Sequence, residues 1–337
     1  MTNDERYSRQ IRFAPIGTAG QARLGMAKAT VIGCGALGAA VAEQLVRAGV
    51  GRIRLIDRDY VELSNLQRQS LYTEADAEQA LPKAVAAASR LRAVNSRCEI
   101  EAIVDDVRAA NVEQLVSGSH VVVDGCDNFP TRHLMNEACV RANIPWVYGA
   151  CVGSYGLSVA ILPGQTPCLR CVQDELPGAG ESPTCDTSGI IPPAVQVVAG
   201  WQVAEALKIL VGNIAAVRRV LWASDLWTGT FQRLDLAAWR DPACAVCGMT
   251  PRYPLLTAGD AAAVVLCGRD AVQIRRPSAH LGQLRERLGS ALLIANDYVV
   301  RWRDGEQTAT CFCDGRVIVQ GVQNAAQARA FCDRWLG

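Results

Sequence analysis

The sequence predicts an α/β fold: a parallel sheet covered by helices, a mixed extension of that sheet, and a small C-terminal α+β domain. Three observations carry this prediction. A short β-branched run, Ala29-Thr30-Val31-Ile32, feeds directly into the glycine-rich stretch Gly33-Cys34-Gly35-Ala36-Leu37-Gly38. Apolar strand-like segments then alternate with alanine-rich helical ones through the first half, which calls for parallel strands with helices on both faces. Beyond about Tyr253 the alternation gives way to closely spaced strand signals.

Taken in order, the run at 29–32 reads as a buried parallel strand. Gly33 and Gly35 permit a tight turn and a close approach of backbone to phosphate, and Gly38 lets the next helix pack near the strand. That helix, 36–48, stops at Gly49 and offers free N–H groups to an anion at its start. A second strand, 52–56, delivers Asp57 at its carboxyl end, where an acid can accept from ribose hydroxyls. This order of strand, loop, helix, strand and acid is the mononucleotide-binding half of a Rossmann-like domain, and NAD and ATP fit it equally well. The strip Ser64-Asn65-Leu66-Gln67-Arg68-Gln69 and Lys83 then add donors and positive charge where a triphosphate could be attacked, which a redox cofactor does not need. A helix over 84–94 follows. The strand 121–123 places Asp127 at the sheet's carboxyl edge, where ligands of open α/β sheets collect. A long helix over 194–211 and paired late strands at 220–222 and 230–234 complete the extension.

At 337 residues the chain has room for one large domain, 1–250, and a smaller one, 256–337. Half of it is hydrophobic and the net charge is +1, which gives no support to a nucleic-acid or membrane-surface partner. The N-terminus reads as having no signal peptide, and no apolar run is long enough to span a bilayer. Fourteen cysteines in such a chain suggest reduced thiols, metal ligands or catalysis rather than a disulfide framework, and a cytoplasmic location. Two C-x-x-C pairs, Cys168/Cys171 and Cys244/Cys247, stand beside turn residues and supply the four thiolates of a structural Zn2+ site. Four sulfurs leave no open position, so a catalytic zinc is not expected. Cys98, Cys139, Cys267 and Cys332 read as small core residues.

Together these features resemble the MoeB/ThiF/HesA family, relatives of ubiquitin-activating enzymes. The resemblance covers about residues 5–248. It rests on Arg6-Tyr7-Ser8-Arg9-Gln10, the glycine loop, Asp57-Arg58-Asp59 and the 64–69 strip. Lys83 after Pro82, Asp124-Gly125-Cys126-Asp127-Asn128, both C-x-x-C pairs and Thr184-Cys185 complete it. It implies adenylation, with ATP and Mg2+, of the C-terminal glycine of a ubiquitin-like sulfur carrier ending in Gly-Gly, for molybdopterin or thiamin biosynthesis. It also implies a homodimer in which the N-terminal arginine reaches the neighbour's site, with a sulfurtransferase or cysteine desulfurase as a further partner. By the same resemblance Arg9, Arg68 and Lys83 face the phosphates, Asp57 holds the ribose, and Asn65 and Gln67 orient the nucleotide. Asp127 holds magnesium, with Asp59 and Asn128 beside it in the nucleotide site, and Cys185 is the cysteine that in some members links to the carrier. Cys126 stands where many relatives carry threonine and reads as a packing variant.

Past Tyr253 the resemblance to MoeB runs out. Strands are expected at 264–266, 272–274, 291–294, 298–302 and 317–319, helices at 281–288 and 325–335, and a hairpin turn at Arg303-Asp304-Gly305-Glu306. Cys311-Phe312-Cys313-Asp314-Gly315 lacks the anion loop of a rhodanese. The phrase Cys267 to Ile274 recurs in tails of some bacterial members, and carrier docking or dimer support are the roles it suggests. The rival readings are an NAD-dependent dehydrogenase, a catalytically silent nucleotide-binding scaffold, and a tRNA-modifying relative that the neutral charge does not favour.

Overall fold

The computed structural model describes residues 3–174, 185–259, 263–266, 271–276 and 280–336. The first eight strands are β1 (Lys28–Ile32), β2 (Arg52–Asp57), β3 (Glu99–Val104), β4 (Val121–Asp124), β5 (Trp146–Val152), β6 (Tyr155–Ile161), β7 (Val220–Asp225) and β8 (Thr230–Asp235). They form one sheet in the order β3-β2-β1-β4-β5-β6-β7-β8. The strands from β3 to β5 are parallel, and β5 to β8 continue antiparallel, so the sheet is mixed. β1 and β4 are neighbours although two strands intervene in sequence. Their carboxyl ends therefore diverge into the crevice where such sheets take ligands.

Helices Ala36–Ala48, Lys83–Val94 and Pro192–Leu210 cover one face, sharing a core with Val31, Leu55 and Val123. Alanine-rich surfaces on the first two let backbones approach closely, while Val195, Val198 and Val203 fill the centre. The other face packs Ile32, Val122 and Trp146 against helix Phe129–Arg141 and the buried cysteines of both C-x-x-C pairs. Glu137 on that helix accepts the backbone N–H groups of Leu255 and Leu256 (2.9 and 3.0 Å), anchoring the segment that leaves the second pair. Among the described residues, no helix is long and apolar enough to cross a membrane.

The remaining strands are β9 (Ala263–Leu266), β10 (Ala271–Arg275), β11 (Leu292–Ala295), β12 (Val299–Asp304), β13 (Gln307–Phe312) and β14 (Arg316–Gln320). They form a second, antiparallel sheet in the order β11-β12-β13-β14-β10-β9, with Trp302, Phe331 and Val317 in its core. β12 and β13 are joined through Gly305, whose φ of +61° a side chain would resist. The second sheet lies against the first through Tyr60 and Ala80, which share a small core with Val299, Phe312 and Ile318.

Candidate nucleotide site and metal centre

The glycine loop sits in the crevice between β1 and β4, and its three glycines have different jobs. Gly33 has φ +88°, and a Cβ there would meet the Gly125 carbonyl oxygen at 2.4 Å. A Cβ on Gly38 would come within 1.7 Å of the Gly33 oxygen, so this glycine sets the helix onto the loop. Gly35 has no such constraint: the nearest atoms to a Cβ are Gln69 Nε2 at 3.9 Å and Gly125 O at 4.0 Å. The space over Gly35, at the N-cap of helix Ala36–Ala48, is where a phosphate can approach bare backbone.

Asp57 lies at the end of β2 and is buried. One carboxylate oxygen accepts from the Cys34 N–H of the loop (2.6 Å) and the other from the Asp59 N–H (2.6 Å). Hydrogen bonds to an ionised acceptor are about twice as strong as neutral ones, so this acid fastens the loop to the strand end. Burial pushes its carboxyl above the usual range, and the charge of Lys83 pulls it back. Lys83 begins helix Lys83–Val94, is buried, and places Nζ 3.5 Å from Asp59 Oδ2 while its N–H donates to the Asp59 carbonyl at 2.9 Å. Tyr72 completes the cradle by donating to the Cys34 carbonyl (2.6 Å) and lying near that of Lys83 (3.3 Å).

Across the crevice, Asp127 follows β4. Asn128 caps helix Phe129–Arg141 by accepting from the Thr131 N–H (2.9 Å), and its amide donates to Asp127 Oδ1 (3.2 Å). Thus Asn128, rather than Asp127, makes the helix cap, which leaves the Asp127 carboxylate at the surface of the crevice. The protein packed around Asp127 raises its carboxyl. The charge of Asp59 adds to that, but Arg58, Asn128 and Lys83 together more than offset both, and the group is held below the usual carboxylate range. The loop that carries it is fixed by a buried pair: Arg132 Nε donates to Asp124 Oδ2 (3.0 Å), and its Nη2 donates to the carbonyls of Cys126 (2.6 Å) and Gly149 (3.1 Å). Removing one partner of such a pair costs about 3–5 kcal/mol.

The structure thus brings Gly35, Asp57, Asp59, Lys83 and Asp127 around one crevice. It does not bring all the expected residues there. Asn65 is buried and accepts from the Glu62 N–H (3.1 Å), closing its own turn. Gln67 is exposed and, among the described residues, reaches only the Ile190 carbonyl, at 3.4 Å. Arg68 donates to the Ser64 carbonyl (2.9 Å) on its own turn. Arg9 is exposed in helix Ser8–Ile11, which Gln10 ties to the Ala48 carbonyl (2.8 Å). That is the far end of helix Ala36–Ala48, about 20 Å from the glycine loop at 1.5 Å per residue. Cys185 opens helix Cys185–Ser188, while its side chain and Thr184 lie outside the described residues. Three residues of the site were not singled out for it from sequence. Tyr72 and Arg132 belong to none of the motifs named above. Gln69 closes the 64–69 strip and lies buried beside Gly35, with Oε1 unpartnered among the described residues.

On the opposite face of the sheet, the sulfurs of Cys168, Cys171, Cys244 and Cys247 lie within 4.8 Å of one another. Cys168 and Cys244 are 3.7 Å apart and Cys171 and Cys247 are 3.3 Å apart. Tetrahedral zinc with Zn–S of about 2.3 Å wants sulfurs about 3.8 Å apart, so the four residues fit that ion. Gly248 turns the second pair, since a Cβ there would meet the Cys244 carbonyl at 2.5 Å. Cys98, Cys139 and Cys332 are buried, and Cys126 packs against Ile32, with its thiol 3.4 Å from that residue's carbonyl; Cys267 lies outside the described residues.

Residues 7–246 match the family described as ThiF family. The chain belongs to the ThiF family. A sulfur carrier protein ThiS adenylyltransferase of Bacillus subtilis is 46% identical over 98% of this chain and 99% of its own length. A sulfur carrier protein adenylyltransferase of Thermus thermophilus is 38% identical over 73% of this chain and 92% of its own. Among solved structures, E. coli MccB superposes with a TM-score of 0.64 over 75% of this chain and 74% of its own, at 24% identity, which speaks to the fold. This ThiF-family chain is a nucleotidyltransferase, and the nucleotide its family uses is ATP.

Proposed function

We propose that the chain adenylates the C-terminal glycine of a ubiquitin-like sulfur carrier. The observation that carries this is the crevice over Gly35, walled by Asp57, the Asp59–Lys83 pair and Asp127. A dehydrogenase would need a hydride site, whereas this crevice collects cations and carboxylates suited to a triphosphate and a metal. The carrier's carboxylate attacks the α-phosphorus of ATP, the bond to the β-phosphate oxygen breaks, and pyrophosphate leaves with the electron pair. The product is an acyl-adenylate, ready to accept sulfur.

The helix start at Gly35 takes a phosphate, Asp57 accepts from the ribose while holding the loop, and Lys83 faces the negative charge that builds on the leaving group. Asp127 is an ionised oxygen donor that fits Mg2+, a hard cation that keeps several waters and needs only one or two carboxylates. Magnesium there would neutralise phosphate charge. Arg68, now tied to the Ser64 carbonyl, would have to leave its own turn to reach the phosphates, and Arg9 serves the crevice of a second copy in a homodimer. The resemblance over 98% of the chain to an enzyme named for ThiS favours a thiamin-branch carrier.

ATP–pyrophosphate exchange with small Gly-Gly-ending proteins from the same genome tests the reading. Exchange that depends on one carrier is the expected result and would name the pathway. ATP binding without exchange for any carrier would instead favour the scaffold reading.

A further inference from the structure

The second sheet meets the first at the rim of the nucleotide crevice, on the loops that follow β2 and β3. Beside the apolar contact of Tyr60 and Ala80 with Val299, Phe312 and Ile318, three polar side chains on one face of the second sheet reach these loops. Arg275 and Arg316 are direct cross-strand partners of β10 and β14, and Gln273 lies two residues before Arg275, so all three project to the same side. Arg275 pairs with Asp105 at 3.2 Å. Gln273 Nε2 donates to Asp106 Oδ2 (2.8 Å), while Asp106 Oδ1 accepts from Arg58 at 3.2 Å. Arg316 donates through Nη2 to the carbonyl oxygen of Arg58 at 2.9 Å, across 258 residues of sequence.

That last bond falls on an informative peptide. The amide joining Arg58 to Asp59 has its C=O on Arg316 and its N–H on Asp57 Oδ1, at 2.6 Å. One peptide plane is therefore gripped from both sides: by the acid that fastens the glycine loop, and by a residue of the other sheet. Asp59, the next residue, carries the pair with Lys83. Asp314 holds Arg316 Nε at 2.6 Å, and the guanidinium lies 4.3 Å from the Phe312 ring centroid. Arg316 is fully buried, and among the described residues its Nη1 has no hydrogen-bond partner. A buried cation with a donor unspent is a poor choice for stability alone, because an apolar residue of similar volume is often as stable or more so. Its use is better explained by the place of the atom it holds.

From this geometry we infer that Arg316, supported by Gln273, is a positioning residue for the nucleotide. The C-terminal sheet forms an outer wall of the crevice and sets Asp57, Asp59 and Lys83 in register with the glycine loop. The inference rests on the reading that this crevice binds ATP.

The test uses the full-length chain and calorimetric binding of the non-hydrolysable α,β-methylene analogue of ATP, without carrier, beside thermal unfolding. Arg316→Met weakens the analogue by about tenfold, the scale of one hydrogen bond from a charged donor, and Gln273→Met weakens it about threefold. Arg316→Lys retains a donor for the Arg58 carbonyl and recovers part of the loss. In pyrophosphate exchange the KM for ATP rises while the KM for the carrier stays put, a split that general loosening of the fold would not produce. Wild-type affinity in a folded Arg316→Met protein overturns the inference. If that variant does not fold, unchanged affinity in both Gln273→Met and Arg316→Lys overturns it equally. Wild-type protein that binds no analogue would overturn the ATP reading itself and this inference with it.

Discussion

At the scale of single residues, the crevice separates side chains that hold the fold from those left for chemistry. Asn128 spends its amide oxygen on the Thr131 N–H, and Asn65 spends its own on the Glu62 N–H, so both motif residues act on backbone. Asp127 is different: among the described residues no backbone group is bonded to its carboxylate, and Arg58 helps to hold it below the usual carboxylate range, which favours the ionised form a cation needs. Asp127→Ala is therefore expected to lower pyrophosphate exchange by roughly a hundredfold to a thousandfold, comparable with loss of one preorganised charge-stabilising group. The unfolding midpoint and metal content of that variant should match wild type, because Asn128 still caps the helix. Near-normal exchange would remove Asp127 from the site. The charged members of this crevice were readable in the sequence because each follows a strand end or opens a helix, at Asp57, Lys83 and Asp127. The contribution of Tyr72 was not readable, since it depends on two carbonyls brought together only by folding.

At the scale of elements, the glycine loop shows how one motif combines packing and binding. Gly38→Ala would drive a methyl into the Gly33 carbonyl and is expected to cost roughly 2–4 kcal/mol of stability. Gly35 has φ −70° and an open face, so Gly35→Ala should leave the unfolding midpoint close to wild type. Its methyl would instead occupy the phosphate's approach and weaken ATP by roughly tenfold, the scale of a modest steric overlap. Denaturant unfolding and nucleotide titration on the two variants check this contrast, and equal effects on both properties would refute the division of labour. The sequence marked this loop well because its signals are local: a β-branched strand, three glycines, and a helix that closes at Gly49. It marked β3, the β5–β6 hairpin and β13 poorly. β3 alternates charged and apolar residues with Glu99 and Glu101 exposed, and β5 to β6 contains Gly149, Gly153 and Gly156, which dilute a strand pattern. In β13, Gln307, Thr308 and Thr310 mask a strand whose burial comes from the sheet around it.

At the scale of the whole molecule, long-range connections decide what the chain can do. Arg9 is held at the opposite end of helix Ala36–Ala48 from the loop of its own chain, so its proposed service to a phosphate requires a second copy. Arg9→Ala and Asp127→Ala proteins, each inactive alone, should then regain about a quarter of wild-type exchange when mixed and allowed to trade subunits, because half the dimers would carry one intact composite site. No recovery after proven subunit exchange would place Arg9 outside the reaction. The cysteine pairs make another long connection, joining segments 76 residues apart on the face of the sheet away from helix Ala36–Ala48. Closing a loop of that length stabilises a fold by about 4 kcal/mol in the chain-entropy view, and four thiolates crowded together need a cation to offset their repulsion. Cys244→Ser, or a strong chelator, should therefore strip one zinc per chain and lower the unfolding midpoint by about 10 °C. ATP affinity at low temperature should change far less, because Gly35, Asp57 and Lys83 are held by Cys34, Asp59 and Tyr72 rather than by the knuckles. An unchanged midpoint after complete metal removal would show that the four sulfurs meet for packing alone. A parallel collapse of ATP affinity would show that the two faces of the sheet are coupled more tightly than these contacts require.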